Sequence, residues 1–370
     1  MDVITIALLV GGLALLTIGG ELLVRGSSQL AALAGITPLV IGLTVVSFGT
    51  SSPELAVSVQ SSLVGKSDIA VGNVVGSNIF NILFILGACA LISPLVVAVQ
   101  LIRREVPFMI GVSLLVAALA LDGGISRSEG LLLIALLVGY TSWSIYASRK
   151  ETAEAQAEYV QEFGPNRLLT GSKVTVWLVS ISFVVIGLGL LALGSNWLVE
   201  SASTLARAFG VSDVLIGLTI VAAGTSLPEV VASIVATIKG ERDIAIGNVI
   251  GSNIFNLLGI VGMAALATPG GLTVASSVIT FDLPVMIAVA FAVLPIAVTG
   301  LSINRWEGAL FLGYYVAYTA YLILAATQHD ALPAFSGVMG LFVLPITAIT
   351  LVILGLNAVR RRDWATPRIR

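Results

Sequence analysis

Two glutamates carry the chemistry that this sequence advertises most clearly. Glu54 and Glu229 close matching stretches, Gly49-Thr50-Ser51-Ser52-Pro53-Glu54 and Gly224-Thr225-Ser226-Leu227-Pro228-Glu229. Each lies well inside an apolar segment, 36–63 and 211–238. A carboxylate at that depth in hydrocarbon is costly unless something compensates for it. The ordinary compensation is a buried base. No Lys, Arg or His occurs within 36–63, 69–92, 211–238 or 244–267. A bound cation is the simplest source of the missing positive charge.

The neighbouring residues supply oxygen. Pro53 and Pro228 lack a backbone donor and clash with the carbonyl one turn back, so each helix is expected to kink there. Gly49 and Gly224 relax the chain further, and the kink exposes backbone carbonyls. Thr50, Ser51, Thr225 and Ser226 add hydroxyls beside the break. Ser77 and Asn81 stand four residues apart, as do Ser252 and Asn256, so each pair shares one helix face. A set of this kind suits Ca²⁺, which takes about 6–8 oxygen ligands. It does not suit the thiolate and imidazole sites of zinc or copper. Two carboxylates neutralise one divalent ion or hold two monovalent ones. Plainer uses compete for the smaller residues. Ser and Thr in helices often bond the preceding carbonyl. Gly72-x-x-x-Gly76 and Gly247-x-x-x-Gly251 read mainly as close-packing surfaces.

The elements that must position these groups are membrane helices. The chain of 370 residues is 57 % hydrophobic and 10 % charged, against about 25 % charged for a soluble domain. Eleven segments are long and apolar enough to span: 3–24, 36–63, 69–92, 105–121, 129–147, 174–199, 211–238, 244–267, 282–300, 306–326 and 334–358. Asp2 is the only charge before Glu21. The first run therefore lacks the basic start of a signal peptide and reads as a mature helix. The single Cys89 excludes an intrachain disulfide. With the N-terminus outside, 15 of the 18 Lys and Arg fall on the inside, leaving Lys66, Arg127 and Arg207 outside. Basic residues concentrate on the cytoplasmic side, so the reading is N-out, C-in.

Residues 36–81 align without a gap on 211–256 at an offset of 175, with 24 of 46 positions identical. The match includes Gly72-Asn73-Val74-Val75-Gly76-Ser77-Asn78-Ile79-Phe80-Asn81 against Gly247-Asn248-Val249-Ile250-Gly251-Ser252-Asn253-Ile254-Phe255-Asn256. Five helices separate equivalent points, an odd number, so the second copy enters the membrane from the opposite side. Inverted repeats of this kind place substrate at the midplane between the copies. The expected fold is all-α and integral to the membrane, with two inverted five-helix repeats and an extra C-terminal helix. The divisions are 1–148, a cytoplasmic linker 149–173, a second repeat 174–327, and the eleventh helix with a basic tail, 328–370. The linker carries Glu151, Glu154, Glu158 and Glu162 at helical spacing and reads as a solvated surface segment.

The paired Gly-Thr-Ser-x-Pro-Glu and Gly-Asn-x-x-Gly-Ser-Asn-Ile-Phe-Asn stretches resemble the two alpha repeats of the sodium/calcium exchanger family, within the calcium/cation antiporter superfamily, in a prokaryotic-type form. The resemblance implies a secondary active antiporter of the cell inner (plasma) membrane, exchanging sodium for calcium by alternating access. It implies that Glu54 and Glu229 bind both ions, and that Thr50, Ser51, Ser77, Thr225, Ser226, Ser252 and the polar group at Asn81 line the same sites. It further implies that the first helix of each half, 3–24 and 174–199, slides. Some members have Asp where this chain has Asn256. The linker is too short for the calcium-sensing domains of animal exchangers. A proton-coupled divalent cation exchanger and a passive cation channel are the alternative readings. The proton-coupled branch often has Gly-Asn and a Glu-His pair at the break, which this chain lacks. Sodium and calcium ions and the bilayer are the expected partners, with no nucleic acid and no cofactor; the sequence leaves the oligomeric state open, a monomer being plausible. No nucleophile or cofactor motif suggests an enzyme.

Overall fold

The computed structural model describes residues 3–150, 173–209 and 222–361, with Ile216 and Ile220 between the last two stretches. The linker residues 151–172 and the end of the basic tail lie outside the described residues.

The described residues are helical almost throughout. We number the main helices α1 (Val3–Ala34), α2 (Pro38–Thr50), α3 (Ser52–Leu63), α4 (Ser67–Ile92), α5 (Leu101–Asp122), α6 (Arg127–Arg149), α7 (Lys173–Ala208), α8 (Leu227–Ile238), α9 (Arg242–Ala267), α10 (Val278–Val298), α11 (Arg305–Ala326) and α12 (Leu332–Leu354). Nine of these are long and apolar enough to cross a membrane, and the bent pair α2–α3 makes a tenth. The expected segment 211–238 is described mainly from Ala222 onward, as the short helix Ala222–Gly224 and then α8.

α1 and α7 run further than the sequence suggested, to Ala34 and Ala208. Both ends are more polar than the apolar runs that mark the span. They stay helical because α1 and α7 support each other along their length. The 175 offset extends ungapped into this pair, aligning Gly12 with Gly187, Gly19 with Gly194 and Ser28 with Ser203. The contact is made by glycines seven residues apart. A Cβ at Gly12 would lie 2.9 Å from the Gly194 carbonyl oxygen, and one at Gly19 2.8 Å from that of Gly187. Side chains are thus absent where the two backbones touch. A seven-residue period keeps such a stripe on one line of a supercoiled pair.

α4 and α9 form the buried centre. They sit in the main apolar core with α5, α10 and parts of α6 and α11. On α9, Gly247 and Gly251 pack against the backbone of α2, within 2.6 Å of the Leu39 and Leu43 carbonyl oxygens for an added Cβ. The close-packing reading of that glycine pair holds. The positions that would pair likewise with Gly72 and Gly76 fall at 214–218, where only Ile216 is described.

Four two-residue strands tie the ends of the helices. β1 (Leu95–Val96) pairs antiparallel with β4 (Ser302–Ile303), and β2 (Gly124–Ile125) with β3 (Leu272–Thr273). β1 precedes α5 and β4 follows α10, while β2 follows α5 and β3 precedes α10. The start of α5 is therefore tied to the end of α10, and the end of α5 to the start of α10.

Candidate cation site

The two breaks have the same backbone. Ser51 stands at φ −82°, ψ 9° and Ser226 at φ −89°, ψ 8°, both in the sparsely populated bridge region. α2 and α3 meet there at 47°. Pro53 and Pro228 occupy the first turn of the following helix, where no donor is required. The prolines thus begin a new helix rather than bend an old one. The break falls two residues earlier than the ring itself, at the serines.

Glu54 and Glu229 are both almost fully buried, as are Thr50, Ser51, Ser77, Asn81, Ser226, Ser252 and Asn256; Thr225 is half-buried. The carboxylates are held crosswise. Ser51 Oγ donates to Glu229 Oε1 at 2.7 Å, and Ser226 Oγ donates to Glu54 Oε1 at 2.7 Å. Ser226 also lies 3.4 Å from Ser77 Oγ. Thr50 sits beside Glu229 and donates to Asn248 Oδ1 at 3.1 Å, and Thr225 sits beside Glu54. Each repeat therefore holds the other's acid.

Four further asparagines complete the frame. Asn73 Nδ2 donates to Ser58 Oγ (3.0 Å) and to the Glu54 carbonyl (3.4 Å). Asn248 Nδ2 does the same to Ser233 Oγ (2.9 Å) and the Glu229 carbonyl (3.4 Å). Each clamps the helix that carries its acid to the next one. Asn78 and Asn253 face each other at the centre. Asn78 Nδ2 donates to the Asn253 carbonyl at 3.2 Å, and Asn253 Nδ2 to that of Asn78 at 3.5 Å. Their side-chain oxygens accept from Asn256 Nδ2 and Asn81 Nδ2, both at 3.0 Å. Met286 of α10 and Met109 of α5 back this quartet through sulfur contacts to Asn78 and Asn253. All four asparagines lie in the repeated blocks, but their role depends on contacts across the repeats. Their identity at both copies was the available signal.

What remains unpaired defines the chemistry. Within this network, Glu54 Oε2, Glu229 Oε2, Asn81 Oδ1, Asn256 Oδ1, Ser252 Oγ and Thr225 Oγ1 are buried without a hydrogen-bond partner. Each carboxylate gives one oxygen to the opposite serine and keeps one. Asn81 and Asn256 each give the amide nitrogen to an asparagine of the other repeat and keep the oxygen. A buried acceptor left unsatisfied costs about 1–3 kcal/mol. Four such acceptors and two hydroxyls, with two carboxylates among them, attract a cation and repel an anion. Asn81 and Asn256 each also open a π-helical turn, Asn81–Leu86 and Asn256–Ile260. Such turns recur at functional sites because they shift backbone pairing locally. No cluster of three or more His, Cys, Asp or Glu occurs among the described residues, and neutral oxygens outnumber the two carboxylates in this network. All ten residues singled out from the sequence lie on the broken segments or on the faces of α4 and α9 that this network joins.

Comparisons with known proteins bear on family and fold. A family model described as sodium/calcium exchanger protein matches residues 4–146 and 179–324. The putative antiporter CaxA of Alkalimonas amylolytica is 40 % identical over 331 residues, 88 % of this chain and all of that protein. The sodium/calcium exchanger MaX1 of Methanosarcina acetivorans is 32 % identical over 87 % of this chain and 99 % of its own. Solved structures of the sodium-calcium exchanger NCX_Mj superpose with a TM-score of 0.72 at 29 % identity, covering 86 % of this chain and 99 % of theirs. Family and fold are those of membrane ion exchangers rather than enzymes, and this chain is a member of the sodium/calcium exchanger family.

Proposed function

We propose that this protein exchanges sodium for calcium across the cell's inner membrane, by alternating access to the site between Glu54 and Glu229. The observation that carries the reading is the crosswise network with its unsatisfied oxygens. Two carboxylates, two amide oxygens and hydroxyls from both repeats form an all-oxygen shell with at most two formal charges. One Ca²⁺ or two Na⁺ balance those charges equally well, which is the basis of competition at one site. Glu54, Glu229, Thr50, Ser51, Ser77, Asn81, Thr225, Ser226, Ser252 and Asn256 are the ligand set. No cofactor is needed.

The architecture under this reading is two inverted five-helix repeats, 1–148 and 174–327, a cytoplasmic linker 149–173 and an eleventh helix within 328–370, N-out and C-in. The tie of the start of α5 to the end of α10 supports inversion, because these equivalent helices then run in opposite directions. The basic-residue split supports the orientation. The NCX_Mj crystals were soaked in Na⁺ with Ca²⁺ or Sr²⁺, which supports the choice of ions.

The test is uptake of ⁴⁵Ca²⁺ into Na⁺-loaded proteoliposomes. Uptake driven by the outward Na⁺ gradient and abolished in Glu54→Gln is expected. Uptake driven by a pH gradient instead would assign proton coupling, and flux without a counter-ion would assign a channel. Either result overturns the sodium reading.

A further inference from the structure

The two repeats are not equally covered. α1 lies along α8, with Gly20 against Val231 and Val235. α7 makes no contact of comparable extent with α3, the equivalent helix. Positions 56 and 60, which correspond to Val231 and Val235, are Ala56 and Gln60, and both are exposed. Ser195, which corresponds to Gly20, donates instead to the Gly224 carbonyl at 2.6 Å. One flank of the site is thus shut by α1 and the other is open at α3.

The shut flank is latched. Glu21 of α1 pairs with Arg25 at 2.6 Å and with Lys239, past the end of α8, at 3.1 Å. Ser28 Oγ donates to Glu241 Oε1 at 2.9 Å. The 175 offset carries Arg25 to Glu200, Ser28 to Ser203 and Glu241 to Lys66. The serine is kept and both charges change sign together. The open flank therefore carries the same three positions with reversed polarity, although on the shut flank Arg25 pairs with Glu21 of its own helix and Glu241 accepts from Ser28. Glu200 and Lys66 are exposed, and neither side chain has an ion-pair or hydrogen-bond partner among the described residues. Ser203 Oγ is buried without a partner. Paired with Lys66, its oxygen would accept from the ammonium, where Ser28 donates to a carboxylate. The counterparts of Glu21 and Lys239 are Asn196 and Val64, so the open flank has one ion pair fewer.

We propose that Glu200, Lys66 and Ser203 form a second latch, which closes the outer flank when the α1–α7 pair shifts from α8 onto α3. This rests on the alternating-access reading above. The three residues position helices and touch no ion in the site. The latch of α1 and the latch of α7 are then mutually exclusive, and each marks one of the two end states.

Paired cysteines test this directly, since the native Cys89 is buried. The variants are Lys66→Cys/Glu200→Cys for the open flank and Glu21→Cys/Lys239→Cys for the shut one, oxidised with copper phenanthroline in proteoliposomes. Wild-type exchange is measured first; its absence overturns the exchange reading and the latch with it. Where the wild type exchanges, the inner pair is expected to cross-link at rest. The outer pair is expected to cross-link only with Na⁺ and Ca²⁺ on opposite sides. Outer cross-linking should cut exchange at least tenfold, reversibly on reduction. Exchange without outer cross-linking overturns the latch alone. Charge exchange gives a second readout. Lys66→Glu and Glu200→Lys should each slow turnover about two- to fivefold, the range of an exposed pair. The double variant should restore it, which a merely structural role would not produce. Equal loss in the double variant overturns the latch.

Discussion

The centre of the molecule and the α1–α7 pair are both tightly packed, but by different means. α4 and α9 are joined by amide hydrogen bonds that specify donor, acceptor and register. α1 and α7 are joined mainly by bare backbone at glycines, with one hydrogen bond from Ser180 to Gln29 between them, and reach the rest of the protein through few polar contacts: Ser28 and Glu21 on one side and Ser195 on the other. A hydrogen-bonded frame resists sliding because each step breaks several bonds in a medium that offers no water to replace them. A small-residue seam holds two helices to each other and leaves their outer surfaces free to travel over apolar neighbours. Under the proposed function, the site needs the first kind of contact, and access from two faces needs the second.

The sharpest way to break the comparison is at the acids. Glu54→Gln or Glu229→Gln keeps shape and hydrogen bonding but removes half of the formal charge facing the ion. Charged hydrogen bonds are worth about 1.5–3 kcal/mol, so Ca²⁺ affinity should fall by at least tenfold and exchange by about 100-fold. Detergent melting should be nearly unchanged without ions. A Gln variant that exchanges at wild-type rate would remove the carboxylates from the site.

The two acids, and the hydroxyls and amides that the structure gathers around them, stand out in sequence because they repeat at one offset within an apolar background. The frame does not. Asn73, Asn78, Asn248 and Asn253 repeat as faithfully, yet an amide in a helix can pack, cap or bind. Only the contact between repeats distinguishes these. Sequence alone points to the prolines for the break, because proline is the residue with a known backbone cost. The structure puts it at Ser51 and Ser226, since a proline in the first helical turn costs nothing. The lengths of α1 and α7 were underestimated for a related reason. Hydropathy marks where lipid begins, whereas helix 25–34 persists on its partner's surface.

Asn253→Ala should give the next largest effect, and of a different kind. It strands Asn81 Nδ2, and with it the aim of Asn81 Oδ1 at the ion. The loss of one buried pairing with its partner left unsatisfied is about 1–3 kcal/mol. Thermal stability in detergent should drop, and Ca²⁺ affinity should fall with it, since frame and ligand are the same structure. A variant that loses affinity while keeping full stability would mean that Asn253 aims the ligand without carrying the fold.

Gly19→Ala probes the other kind of contact. The new methyl would stand 2.8 Å from the Gly187 carbonyl oxygen and 2.9 Å from the Leu191 backbone nitrogen, so α1 and α7 must separate. Overpacking of this kind costs about 1–3 kcal/mol. Turnover should fall about tenfold while Ca²⁺ affinity at equilibrium stays within about twofold. Affinity and turnover falling in parallel would tie the pair to the site and erase the distinction drawn here.

The smallest effect is expected at α12. This helix packs on α10 across an apolar cavity of about 510 Å³ lined also by α11, with Tyr314 and Thr347 as its polar link. None of its residues reaches the acids or the asparagine frame. Removing it exposes the apolar faces of α10 and α11 to lipid, and lipid tails are as apolar as the side chains they replace. A chain ending at Thr327 should therefore exchange within about twofold of the full-length rate once its amount in the membrane is matched. Loss beyond tenfold would mean that α12 holds α10 in place. Because α10 carries Met286 against Asn78, that outcome would extend the rigid frame to α12 and leave α1 and α7 as the only helices free to move.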